Sequence, residues 1–494
     1  MNLLRKQGFF NSVTLYIGVA LGFFNSIILF QRYLTLEEIG YFTLLITISV
    51  IYTQLSSLGF TNVITRYFPF HKTEDKTHGG FLSFVLIACL IGFSIVTAGF
   101  IFFKELLFSL YGNKAGVSLM SELYYYVIPI SFLTLIFLIQ ETLARTIFKS
   151  IVPTFLREVL VKVFTSIGIV LIMFRVMDFK DFINFYLITN LLIVLLITWY
   201  IYRLKIGKPS SITPEVRANI KTMTGYGLFS MIAGSAVAII PGLGLVLLKL
   251  ISGEAMVGIY GTFFGIAAVI SLPAKALNTT SYQIIADAWK NEDQDKIRNI
   301  YKKTSIVQLV IGLLLLIGLI INQRNILFLL HKPEYANYFN VFILLGVGCL
   351  IDITGGLNGA IISFSKYYKV VVRFLSVATI LSAILNYGFI SKLGILGAAW
   401  SHVGIMLMIN FGYWLYLKLK FRMQPFGIKH LLCLVVGGLC LTLGLFLPDL
   451  TNFYLDVFYR SLLIGSLYLS SIYFLNISED INDLIDNVLM KKLR

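Results

Sequence analysis

The chain has 494 residues, 58% of them hydrophobic and 13% charged, with a formal net charge of +16 and a mean hydropathy of +0.86. That apolar content exceeds what a soluble globular domain needs and suits a membrane-embedded bundle. The basic residues are spread between apolar segments, so anionic lipid headgroups account for them better than nucleic acid does.

Fourteen apolar segments follow in chain order, at about 9–31, 39–63, 81–103, 120–144, 151–174, 182–202, 224–248, 256–280, 304–322, 336–364, 370–390, 395–417, 428–447 and 454–475. In lipid every backbone polar group must be satisfied internally, so these segments are expected to be helices. The two-residue alternation of an outer-membrane barrel is absent. With the amino terminus placed in the cytoplasm, 28 of the 40 Lys and Arg residues fall in cytoplasmic stretches and 10 in opposite loops, while Lys162 and Lys275 lie inside segments. Such alternation predicts fourteen spans with both termini cytoplasmic. The first segment is expected to be retained, being too long for a signal-peptide core and lacking a small-residue cleavage site. The expected fold class is thus an all-α polytopic membrane protein with fourteen transmembrane helices.

Short connections carry turn residues, as at Thr73-Glu74-Asp75-Lys76, Tyr111-Gly112-Asn113-Lys114, Lys208-Pro209 and Lys332-Pro333. Two cytoplasmic stretches read as surface helices or as solvated connectors, Asp287 to Lys303 and the tail. In the tail Ser478 is placed to cap the helix, with Glu479, Asp480 and Asp483 early and Lys491, Lys492 and Arg494 late. Cys89, Cys349, Cys433 and Cys440 fall in apolar segments without metal-ligand spacing.

An internal repeat adds organisation. Leu36-Glu37-Glu38-Ile39-Gly40-Tyr41 follows the first segment, and Glu254-Ala255-Met256-Val257-Gly258-Ile259-Tyr260 follows the seventh, offset by 217 to 218 positions. Arg32 and Lys249 match across the same offset. Six spans are an even number, so both copies should face the same way, as two pseudo-symmetric six-helix lobes. The expected division is a lobe over 1–205, a cytoplasmic linker over 206–223, a second lobe over 224–420, an added helix pair over 421–476 and an amphipathic tail over 477–494.

Three stretches carry a family resemblance: Leu36-Glu37-Glu38-Ile39-Gly40-Tyr41; Leu58-Gly59-Phe60 with Arg66-Tyr67; and Leu385-Asn386-Tyr387 followed by Leu393-Gly394-Ile395-Leu396-Gly397-Ala398-Ala399-Trp400. In this order on a fourteen-span frame, the chain resembles the Wzx-type polysaccharide flippases of the multidrug/oligosaccharidyl-lipid/polysaccharide exporter superfamily. The resemblance implies a V-shaped pair of lobes and alternating access. It implies an undecaprenyl-diphosphate-linked oligosaccharide of O-antigen, capsule or exopolysaccharide as cargo, moved across the bacterial inner membrane by an ion gradient. Polysaccharide polymerase machinery is then a potential partner. No G-x-x-x-x-G-K-[ST] loop is present, so ATP binding has no support in this chain. No cofactor or metal is expected beyond H⁺ or Na⁺ as coupling ion.

Ionisable groups inside apolar helices are costly and therefore mark candidate sites. Glu141 with Arg145, and Glu158 with Lys162, are each four residues apart and share a helix face. An antiparallel hairpin would set Glu141 level with Lys162 and Arg145 level with Glu158, as a structural clip or as a cation-responsive gate. Lys275 has no acid nearby in sequence and is the leading candidate for contacting a diphosphate headgroup, with Arg32 and Lys249 as further cations at the opposite mouth. Asp352 could bind the coupling cation or pair with Lys275, whereas His402 is expected to satisfy a hydrogen bond in the core. Pro241-Gly242 and Pro129 are candidate hinges or static bends. An enzyme is disfavoured, because the longest outer loop, near Lys104 to Leu119, is short and holds no carboxylate–His constellation. The main alternative is a drug/cation antiporter of the same fold.

Overall fold

The computed structural model describes residues 3–73, 77–105, 123–204, 206 and 210–492. The turn at Thr73-Glu74-Asp75-Lys76 lies partly outside the described residues, and those at Tyr111-Gly112-Asn113-Lys114 and Lys208-Pro209 wholly so. Among the described residues all regular structure is helical. The main helices are α1 (Leu3–Phe23), α2 (Leu36–Ser56), α3 (Phe60–His71), α4 (Phe81–Phe102), α5 (Val127–Thr146), α6 (Val161–Met173), α7 (Phe179–Arg203), α8 (Pro214–Ser252), α9 (Glu254–Ala267), α10 (Leu272–Lys290), α11 (Gln294–Ile321), α12 (Phe339–Thr354), α13 (Asn358–Phe364), α14 (Lys369–Leu393), α15 (Ile395–Phe421), α16 (Ile428–Leu445), α17 (Phe453–Phe474) and α18 (Glu479–Lys492).

Twelve helices among the described residues are long and apolar enough to cross a membrane, or thirteen if α12 and α13, bent by 41° at their junction, form one span. The chain is a multi-pass membrane protein. The expected fifth segment is helical from 151 to 173, but a π-helical stretch, Leu156–Leu160, divides it. Length and composition alone therefore do not reach the expected fourteen.

Local chemistry explains the main boundaries. Thr35 caps α2 in a reciprocal arrangement: the Glu38 amide donates to Thr35 Oγ1 at 3.2 Å, and the Thr35 amide donates to Glu38 Oε2 at 2.7 Å. Asp178 and Asp181 do the same for α7. Gly59 and Gly394 adopt φ of +72° and +56° at sharp corners, a region that side-chain-bearing residues rarely enter. Gly40 and Gly258 serve a different purpose. A β-carbon at Gly40 would overlap the Glu254 carbonyl oxygen, and one at Gly258 would overlap the Leu36 carbonyl oxygen. The two copies of the sequence repeat thus meet backbone to backbone, each copy's glycine against the other's first turn.

The expected surface helix from Asp287 to Lys303 is not one element. Asp293 accepts from the Lys296 amide at 2.9 Å and starts α11 anew, after Glu292 takes a φ of +55°. Ile297 and Tyr301 are buried within the bundle. The tail forms α18 as expected, held by Tyr473 donating to Asp486 at 2.8 Å and Lys303 to Asp480 at 3.3 Å. Ser478, however, makes no capping bond; its buried hydroxyl has no partner among the described residues.

By internal contacts the chain divides into two compact units, residues 1–261 and 262–494. This boundary falls inside α9. The Gly40–Gly258 crossing ties the start of α9 to α2. In unit 1 the core gathers large apolar side chains such as Phe60, Phe68, Phe81 and Leu135. In unit 2 a separate cluster forms around Tyr301, Ile361, Leu417 and Met423.

Candidate functional site: charge among apolar helices

In unit 1 the intramembrane charges form a continuous chain. Glu141 on α5 is 1% exposed, with one carboxylate oxygen 2.6 Å from Arg145 and the other 2.7 Å from Arg157. Arg157 also lies 3.5 Å from Glu158, which lies 3.1 Å from Lys162. The Lys162 ammonium donates to the Gly18 carbonyl of α1 at 2.9 Å. Asn25, in a second π-helical stretch (Phe24–Leu29), donates to the Lys162 carbonyl at 2.8 Å.

The expected crossed pairs, Glu141 with Lys162 and Arg145 with Glu158, are replaced by this arrangement. Each four-residue pair closes within its own helix. The π turn at Leu156–Leu160 changes the helical register, so Arg157 faces α5 while Lys162 faces α1. Arg157 was absent from the sequence candidates because it counted among the cytoplasmic cations. Its place inside the 151–174 segment, beside Glu158, was the signal that could have found it. A small cavity of about 150 Å³ lies beside this chain, with Arg157 its one charged lining residue.

Lys249 is buried and pairs with Glu254 at 2.8 Å, across the corner where α8 gives way to α9. This local neutralisation suits a structural cation better than a headgroup contact. Arg32, its repeat counterpart, is exposed. Helix α8 runs through Pro241 without a break, and Gly242 abuts Ile51 and Thr47 of α2 with no room for a β-carbon. Pro129 is the third residue of α5, where a missing amide donor costs no helical bond. It marks a helix start, not a mid-helix hinge.

Unit 2 holds its charge differently. Asp352 lies two residues before the end of α12, beside the 41° bend. Its carboxylate accepts from Asn410 at 3.3 Å, and Asn358 donates to the Asn410 side-chain oxygen at 2.8 Å. Lys275 is near enough for its charge to act on Asp352, and the Asp352 charge reaches Tyr282 and Tyr413. The structure thus brings together the two residues that sequence could place only on separate spans. Both side chains are exposed. A 3₁₀ turn, Ala268–Ser271, precedes α10 and sets Pro273 in its first turn. From Lys275 the helix continues with Asn278, Tyr282 and Gln283, and Asn278 accepts from Gln308 at 2.7 Å.

His402 does not satisfy the hydrogen bond expected of it. Its Nε2 has no partner among the described residues, and its ring packs edge-on against Phe264, 5.5 Å between centroids. No group of three His, Cys, Asp or Glu residues that could hold a metal ion occurs among the described residues.

No protein-family model matches the chain, and no curated protein matches it in sequence. Solved structures do. The structure of the lipid II flippase MurJ in an inward closed conformation is 16% identical, covers 94% of this chain and 99% of its own, and gives a TM-score of 0.70. An inward-facing multidrug resistance MATE family transporter of the MOP superfamily is 14% identical, covering 83% of this chain and 98% of its own, with a TM-score of 0.63. An outward-facing MATE transporter is 16% identical, covering 84% and 96%, with a TM-score of 0.56. The chain shares the fold of these transporters.

Proposed function

We propose that the protein is a flippase, not an enzyme, and that it carries an undecaprenyl-diphosphate-linked oligosaccharide across the bacterial inner membrane by ion-driven alternating access. The single observation that carries this reading is the likeness of fold to the lipid II flippase over 94% of the chain. The inward- and outward-facing transporter structures leave about a tenth of the chain more unmatched, a length comparable to that of α16 and α17. In this reading the chain crosses fourteen times, with both termini cytoplasmic and α6 with its preceding π turn as the fifth crossing.

The polar face of α10 supports an anionic cargo. In this reading Lys275 supplies a point charge to the diphosphate. Asp352, linked to Lys275 electrostatically and to Asn410 by a hydrogen bond, in this reading couples H⁺ or Na⁺ occupancy to the Lys275 charge. Cation coupling with a drug in place of the lipid-linked sugar would give a drug/cation antiporter, for which none of the residues above argues.

Reconstitution decides between them. Purified protein in liposomes should move a polyprenyl-diphosphate sugar between leaflets, read by access of the sugar to an externally added glycosidase, faster with an H⁺ or Na⁺ gradient. Movement of cationic dyes with no movement of the lipid-linked sugar would overturn the flippase reading.

A further inference from the structure

Unit 2 contains a charged cavity, away from Asp352 and Lys275, at the ends of α10, α13 and α15 and the start of α11. It encloses about 660 Å³. Four cations line it, Arg298, Lys366, Lys420 and Arg422, against one acid, Glu292. Asp295 answers Arg298 at 2.6 Å. The Lys366 and Lys420 ammonium groups stand 5.5 and 5.0 Å from the centroid of the same Tyr367 ring. Two cations are thus gathered within about a Debye length of each other on a single aromatic surface.

A neighbouring cavity at the junction of α11, α16 and α18 provides the contrast. Lys302, Lys303 and Lys429 line it, but the tail brings Glu479 to 3.9 Å from Lys429 and Asp480 to 3.3 Å from Lys303. Two of that cavity's three lysines are thus answered by carboxylates of the chain itself. The first keeps its excess of positive charge.

We propose that the first cavity binds the phosphate of an anionic membrane lipid. The charge excess selects an anion. The place selects a lipid over a soluble anion: the cavity sits where α11 begins and α15 ends, and its wall is aromatic. Trp289 and Phe421 pack at 5.2 Å, Phe421 and Tyr367 at 5.8 Å, and Phe364 is exposed at the rim. Aromatic rings beside basic side chains are the pairing found at headgroup depth. Trp289 donates to the Ile361 carbonyl at 3.0 Å, which fixes one wall before any ligand arrives.

Native mass spectrometry of the full chain, titrated with dioleoylphosphatidylglycerol or dioleoylphosphatidylcholine, tests this. Wild type should bind one phosphatidylglycerol more tightly than phosphatidylcholine. Lys366→Gln/Lys420→Gln should weaken the phosphatidylglycerol adduct roughly thirtyfold and leave phosphatidylcholine unchanged. Lys302→Gln/Lys429→Gln removes equal charge from the neighbouring cavity and should change binding by no more than about twofold. Equal losses in the two double variants, or no loss in the first, would overturn the site. Displacement of the lipid by inorganic phosphate at equal concentration would overturn the choice of lipid. Should Lys366→Gln/Lys420→Gln fail to fold, Arg422→Gln reads the same cavity, with an expected loss of roughly fivefold.

Discussion

Glu141 in unit 1 is gripped by two guanidinium groups at 2.6 and 2.7 Å and shut away from solvent, whereas Asp352 in unit 2 accepts one longer bond from an amide and stays exposed. Both are carboxylates on apolar helices. The first is consumed by its surroundings, since each oxygen has a cation and the chain of charge runs on to the α1 backbone. The second keeps lone pairs available and has a cation within electrostatic reach. A buried acid satisfied on every side argues for holding helices together; an open one beside a lysine argues for chemistry that changes during a cycle. The contrast leads us to propose that the unit 1 chain is a clip and that the functional charge lies in unit 2.

The largest expected effect would break the clip. Glu141→Ala leaves Arg157 without its buried partner and should cost about 2–4 kcal/mol, less than a pair buried on both sides because the arginines are half exposed. A thermal melt in detergent reads this, and Glu141→Ala/Arg157→Ala should recover part of the loss. A melt unchanged by Glu141→Ala would remove the distinction between the units. Gly40→Ala comes next. Its β-carbon would meet the Glu254 carbonyl, and shifting backbone should cost about 1–3 kcal/mol in the same assay, where a neutral result would mean that α2 and α9 separate freely.

In unit 2 the effects should appear in transport and not in melting. Lys275→Ala is expected to slow lipid-linked sugar movement about tenfold, equivalent to about 1.4 kcal/mol, with the melting temperature held. A parallel fall in both would reassign Lys275 to structure. Asp352→Asn keeps the Asn410 contact possible while removing the charge. It should lower the acceleration by an ion gradient about threefold while basal movement persists. If gradient dependence survives intact, the coupling acid lies elsewhere.

Much of the architecture was legible in the residues. The apolar segments lie where helices form, because a helix is the solution that satisfies the backbone in lipid without a partner strand. Thr35 and Glu38 mark the start of α2 by local hydrogen bonds alone. The tail helix was legible for the same reason, although Ser478 does not make the cap its position suggested. The repeat was visible as Gly40 and Gly258, but not its purpose, because the need for glycine arises only when two backbones cross.

Composition, the order of apolar segments and the identity of the intramembrane charges were thus determined by the chain itself, since burial in lipid acts on each segment separately. Pairing was decided by tertiary structure. The π turn at Leu156–Leu160 gave Glu141 to Arg157 instead of Lys162, the corner after α8 gave Lys249 to Glu254, and the helix packing of unit 2 brought Lys275 within electrostatic range of Asp352. Sequence spacing measures distance along one helix, while an ion pair depends on where two helices face each other. A single extra residue in a turn is enough to change that facing.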